Sequence, residues 1–135
     1  MLKRFLVIAI FALVAVVGAH AHLSEAPETI TPGETFTFTL TEPIEFMFSE
    51  FRVFAITSEE AETLTEDEFL AFLNRSEEDG VQGVEVTQDA DANFRFHITF
   101  AEELEPGTYV LVWNVLSIDT HSSKEHYVFE VVASN

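Results

Sequence analysis

The stretch Thr35-Phe36-Thr37-Phe38-Thr39-Leu40-Thr41 places an apolar residue at every second position, with threonines between. On extended backbone, successive side chains point to opposite faces, so Phe36, Phe38 and Leu40 share one face and the threonines the other. That is the pattern of a strand with one side on a core and one in water. It recurs where Phe94, Phe96, Ile98 and Phe100 alternate with Arg95, His97 and Thr99, and again at Tyr127, Phe129 and Val131. Phe51 to Ile56 is a further apolar strand, and Tyr109 to Val115 is nearly continuously apolar, as suits a central strand. Pro32-Gly33 and Pro106-Gly107 are turn pairs that deliver the chain into the strands after them. The spacing predicts an all-β domain, a small immunoglobulin-like Greek-key β-sandwich or barrel of about seven strands.

One segment breaks the alternation. Residues 58–79 carry nine carboxylates against the single cation Arg75. Within them, Thr65-x-x-Glu68 reads as a capping box followed by Phe69, Leu70, Phe72 and Leu73. The expectation is a short acidic helical insert of two to three turns, its apolar side packed on an end or edge of the sandwich and its carboxylates in solvent.

At the other extreme of the chain, Lys3 and Arg4 precede an apolar run from Phe5 to Val17, followed by Ala19-His20-Ala21. A basic start, a short apolar stretch and an A-x-A site make up a secretory signal peptide, and a run of this length is too short to span a bilayer. Residues 1–21 are therefore expected to be removed, leaving 22–135 as one domain that begins at His22, with no membrane span, in the periplasm or secreted. That chain has four basic against twenty-four acidic residues, a net charge of −20. Such a surface repels nucleic acid and anionic lipid. There is no cysteine, and Met47 is the one methionine outside the leader, so thiolate and thioether-rich metal sites are excluded and nitrogen and oxygen donors remain.

A chain that starts with histidine offers one metal ion two nitrogens from a single residue, the α-amine and the ring Nδ1. A second imidazole makes three nitrogens, a tetragonal environment that suits Cu(II). Asp119 and His121 can supply the rest, because residues i and i+2 on extended backbone face the same way at a rise of roughly 6.6 Å, and a bend would bring them together. The ion would have to join positions 99 residues apart. Each residue also has a plainer reading. An A-x-A-H junction arises by chance, Asp-x-His is common in solvated turns, His97 alternates with core phenylalanines and so faces solvent, and His126 begins the last strand at the surface. The residues alone leave these alternatives open.

The stretch Trp113-Asn114-Val115-Leu116-Ser117-Ile118-Asp119-Thr120-His121, followed by Tyr127-Val128-Phe129-Glu130-Val131, resembles the C-terminal W-x-V-x-S-x-D-G-H pattern of the CopC family of periplasmic copper-binding proteins. Pro106-Gly107-Thr108-Tyr109, Ala19-His20-Ala21-His22 and Leu40-Thr41-Glu42-Pro43-Ile44-Glu45 extend the resemblance over nearly the whole processed chain. It implies His22 as bidentate N-terminal ligand, Asp119 as carboxylate ligand, His121 as second imidazole and Glu42 as an additional acidic ligand or outer-sphere group. It implies a non-enzymatic Cu(II)-binding protein for copper homeostasis, resistance or delivery, working beside an inner-membrane copper transport protein. Three positions depart from the pattern: Thr120 stands for a glycine that would serve a backbone angle threonine tolerates poorly, Ser122 for a proline, and Glu125 where glycine is common. The acidic insert exceeds the family loop, and the methionine-rich Cu(I) loop of some members is missing, which implies a Cu(II)-only type. The competing readings are a copper-dependent oxidative enzyme of polysaccharide monooxygenase type, which needs an open coordination position, and a metal-free interaction domain.

Overall fold

The threonine–phenylalanine alternation folds as the strand Thr35–Leu40, with Phe38 and Leu40 buried and Thr35 and Thr37 exposed. It belongs to a computed structural model that describes residues 21–133; all but the last residue of the expected leader lies outside them. Among the described residues there are eight strands: β1 (Leu23–Glu25), β2 (Thr29–Ile30), β3 (Thr35–Leu40), β4 (Glu50–Ile56), β5 (Val84–Gln88), β6 (Arg95–Phe100), β7 (Gly107–Leu116) and β8 (Ser122–Val131). They form two sheets, in the orders β1-β3-β6-β5 and β2-β8-β7-β4. The predicted β-sandwich is therefore present, with short β1 and β2 bringing the strand count to eight.

The core lies between the sheets. Phe38, Phe96, Ile98 and Phe100 face Val53, Leu111, Trp113, Val115, Phe129 and Val131. Phe38 is the register partner of Phe96, and their rings stack at 5.5 Å, so the pairing that sets the register also fills the core. Strand β7 is interior to its sheet, hydrogen-bonded to β4 and to β8. Its Leu111, Trp113 and Val115 point inward, while Val110 and Val112 belong to a second apolar cluster with Phe54 and Ile56. Both faces of β7 are covered, which explains why its sequence does not alternate.

The cover on the outer face is the acidic insert. It contains two short helices, α1 (Ser58–Thr63) and α2 (Glu66–Leu70), and a 3-10 turn at Ala71–Asn74. Each helix opens with a capping box, Thr57 with Glu60 and Thr65 with Glu68. Leu64 between them is extended, so the expected single helix is broken in two. Phe69 and Phe72 are buried against Phe54, Val110 and Val112. The insert thus lies on the outer face of the β4–β7–β8 sheet, not on an end or edge as the sequence suggested. The half-covered second face of that sheet had to be closed, and burying a phenylalanine contributes about 1.5–3 kcal/mol. Arg52 on β4 fixes the insert's far end by donating to the carbonyls of Leu73, Arg75 and Ser76, and the Arg75 guanidinium lies 4.0 Å over the Phe72 ring.

Candidate metal centre

The β7–β8 hairpin turn carries Asp119 and His121. Ser117 and His121 close it with a 2.8 Å backbone bond, and Thr120 N–H donates to the Ser117 carbonyl at 3.0 Å. The connecting residues are Ile118, Asp119 and Thr120, and Thr120 has φ 75, the one left-handed non-glycine among the described residues. A type I turn followed by a left-handed bulge residue is the usual three-residue hairpin, and glycine is the usual occupant of that last position. The angle anticipated from the missing glycine is the angle that Thr120 adopts.

This turn brings Asp119 and His121 together, with Asp119 Oδ2 3.2 Å from His121 Nδ1 and both side chains more than half exposed. Ser117, buried, holds them there: its hydroxyl donates to Asp119 Oδ1 and also lies within reach of the His121 backbone. The Ser117 hydrogen bond, assisted by the His121 backbone N–H and ring, holds the Asp119 carboxyl below its ordinary pKa of 3.8, although desolvation pushes the other way. The turn therefore presents an ionised carboxylate beside an imidazole.

His22 immediately precedes β1. Its carbonyl accepts from Thr41 N–H at 2.8 Å, and its backbone nitrogen donates to Thr41 Oγ1 at 2.9 Å. Its ring Nδ1 is in short hydrogen-bond contact with Glu125 Oε1, across from β8. Ala21 before it is completely buried.

The segment after β3 connects these two halves. Thr41 bonds His22, and two residues later the Pro43 carbonyl accepts from Ile118 N–H at 3.3 Å. Ile44 then bridges to Ser117, and Glu45 N–H donates to the Leu116 carbonyl at 2.7 Å. Two residues span at most about 7 Å, so His22 and the 117–121 turn occupy the same end of the sandwich. Glu42, half-buried, sits between the residue that binds His22 and the one that binds the turn. The four expected side chains are nonetheless not closed onto one point: among the described residues no three histidine, aspartate or glutamate side chains are gathered closely enough to hold a metal ion.

The remaining histidines have structural partners. His97 faces outward, its Nε2 2.8 Å from Asp89 Oδ2 and its Nδ1 3.0 Å from Thr37 Oγ1. His126 does not begin the last strand, which starts at Ser122; it lies within β8, stacked on Phe69 at 4.1 Å with Nδ1 2.7 Å from Glu66 Oε2, and so helps seat α2. Sequence reasoning gave no role to Ser117, Thr41 or Glu125. A serine two residues before an aspartate in a turn is the one local signal it could have used; the partners of His22 depend on long-range pairing.

The chain is also similar to known proteins. The profile of the CopC domain matches residues 15–132. Protein YobA of Escherichia coli K12 is 31% identical over 121 residues, covering 85% of this chain and 81% of that protein, and the Shigella flexneri YobA gives the same figures. Among solved structures, PcoC, a methionine-rich copper resistance protein from Escherichia coli, superposes with a TM-score of 0.58 at 23% identity, covering 84% of this chain and all of that one. CopC from Methylosinus trichosporium OB3b superposes with a TM-score of 0.55 at 20% identity, covering 86% of this chain and 97% of that one. These two likenesses show the same fold.

Proposed function

The chain belongs to the CopC family, and on that premise we propose that it is a periplasmic Cu(II)-binding protein of copper resistance or homeostasis, whose cargo ion is held by His22, Asp119 and His121, with Glu42 beside them. The observation that carries this reading is the Thr41–Ile44 segment, hydrogen-bonded to His22 at one end and to the 117–121 turn at the other.

The donor set suits the ion. Two atoms bonded to one metal at about 2.0 Å and at right angles lie about 2.8 Å apart, and Asp119 Oδ2 and His121 Nδ1 are 3.2 Å apart before any ion is present. The ionised Asp119 adds charge compensation for a divalent cation. Imidazole, amine and carboxylate donors match Cu(II), whereas Met47, 89% exposed on a turn, has no thioether companion between residues 22 and 135 for a Cu(I) site.

The α-amine of His22 is released when residues 1–21 are cut away during export. The protein holds and passes on its ion rather than turning over a substrate. Asp119 fills a position that an oxygen-activating copper enzyme would leave open. An inner-membrane copper transport protein is the partner we propose; no described helix is long and apolar enough to cross a membrane.

The test is a Cu(II) competition titration of the processed protein and its His22→Ala and His121→Ala variants. One equivalent should bind, and each variant should lose most of the affinity; unchanged affinity in both refutes the site. Ascorbate-driven oxygen consumption by the copper-loaded protein, no greater than that of free copper, is expected of a binder, and a rate above it would favour the oxidative enzyme.

A further inference from the structure

We propose that Glu125 is an additional ligand of the copper site; the inference rests on the copper-binding reading above. Glu125 is the register partner of Trp113, so its side chain lies on the inward side of β8, with Tyr127 and Phe129 two and four residues on. Strand β8 pairs with β7 along its whole length, but with β2 only at Glu130 and Val131. The opposite edge of its first half is therefore open toward β1, and there the Glu125 carboxylate meets the ring of His22.

The atom it meets is the informative one. In an N-terminal histidine chelate, the ring nitrogen that can reach the same ion as the α-amine is Nδ1, and Glu125 Oε1 contacts Nδ1. The Glu125 carboxylate is thus directed at the atom that an ion would bind. When an ion takes the place of the Nδ1 proton, Glu125 either joins that ion or is left as a partly shielded carboxylate without its partner. Its side chain is only 26% exposed, so the second outcome is unfavourable.

The rest of the locality agrees. The His22 nitrogen donates to Thr41 Oγ1 at 2.9 Å, and a free amine keeps N–H bonds for that contact while its lone pair goes to the metal. Both chelating atoms of His22 are thus held in position, one by Thr41 and one by Glu125. A groove lined by Glu25, Glu66, Glu125 and His126 gives solvent access to the carboxylate. A glycine at 125 can do none of this. A further anionic oxygen also biases the site toward Cu(II) over Cu(I).

The experiment uses protein beginning at His22, its Glu125→Gln, Glu125→Gly and His22→Ala variants, and circular dichroism to verify that each is folded. Cu(II) affinity is measured by chelator competition, and the coordination sphere by electron paramagnetic resonance. Removing an outer-sphere partner typically costs about 10–100-fold in affinity, so both Glu125 variants should weaken Cu(II) at least ten-fold, and both should shift the parallel g value and copper hyperfine splitting. A spectrum identical to that of the unsubstituted protein overturns the ligand assignment, even if affinity falls, because Glu125 then only orients the ring. If His22→Ala binds as tightly as the unsubstituted protein, the copper reading itself fails, and this inference with it.

Discussion

At Ser117 a hydroxyl buried to 2% exposure is the atom that prepares Asp119, donating to the carboxylate and meeting the His121 backbone. It is the largest of the influences that keep the Asp119 carboxyl below 3.8. The sign follows: a carboxylate with a depressed folded value favours the folded state above its ordinary pKa, and that contribution is lost as pH falls through the lowered folded value. Asp119 accordingly stays ionised at any pH above its ordinary value. We predict that Ser117→Ala moves the titration midpoint of the Asp119 carboxyl, followed by carbon NMR, upward toward 3.8. An unchanged midpoint would show that the hydroxyl does not hold the carboxylate. Ser117 stood in the W-x-V-x-S-x-D-x-H stretch in plain view, yet its part was not legible there, because a serine's importance depends on its burial and on which acceptors the turn brings to it.

The hairpin turn and the insert show how far the elements themselves could be read. The turn's left-handed corner was legible in one residue: a threonine where the pattern calls for glycine predicts a strained φ, and Thr120 sits at 75. A left-handed conformation costs an L-residue roughly 1–2 kcal/mol, against about 0.5–1 kcal/mol of extra unfolded-state entropy for glycine. Thr120→Gly should therefore stabilise the fold by about 0.5–1 kcal/mol in denaturant unfolding; a loss of stability would mean that the threonine hydroxyl contributes more than its backbone angle costs. The insert was legible as acidic and helical from its capping box, but its seat was not. Nothing local says that Phe69 and Phe72 cover the outer face of β7, although the lack of alternation from Tyr109 to Val115 was a sign that this strand had two faces to bury. His126 was misread for the same reason, since its stacking partner Phe69 is 57 positions away in the chain.

For the molecule as a whole, the two-sheet architecture was readable because period-two alternation repeats in β3, β6 and β8, and each repeat leaves an apolar face that only a second layer can cover. The site was readable as far as its residue types: a histidine behind an A-x-A junction, and an Asp-x-His after the central strand. The placement of those residues at one end of the sandwich was not, because it depends on the Thr41–Ile44 segment spanning from His22 to the turn, and the contact of His22 with Glu125 depends on long-range pairing. On the proposed reading, freeing the amino group of His22 completes a copper site that the precursor lacks. The most direct measurement is a Cu(II) competition titration of two forms of the folded protein that differ only at the start, one beginning at His22 and one retaining Ala21. One tight equivalent is expected for the first, and for the second an affinity reduced by more than the roughly 10–100-fold that loss of an outer-sphere partner costs. Equal affinity in the two forms would show that the His22 amine does not hold the ion.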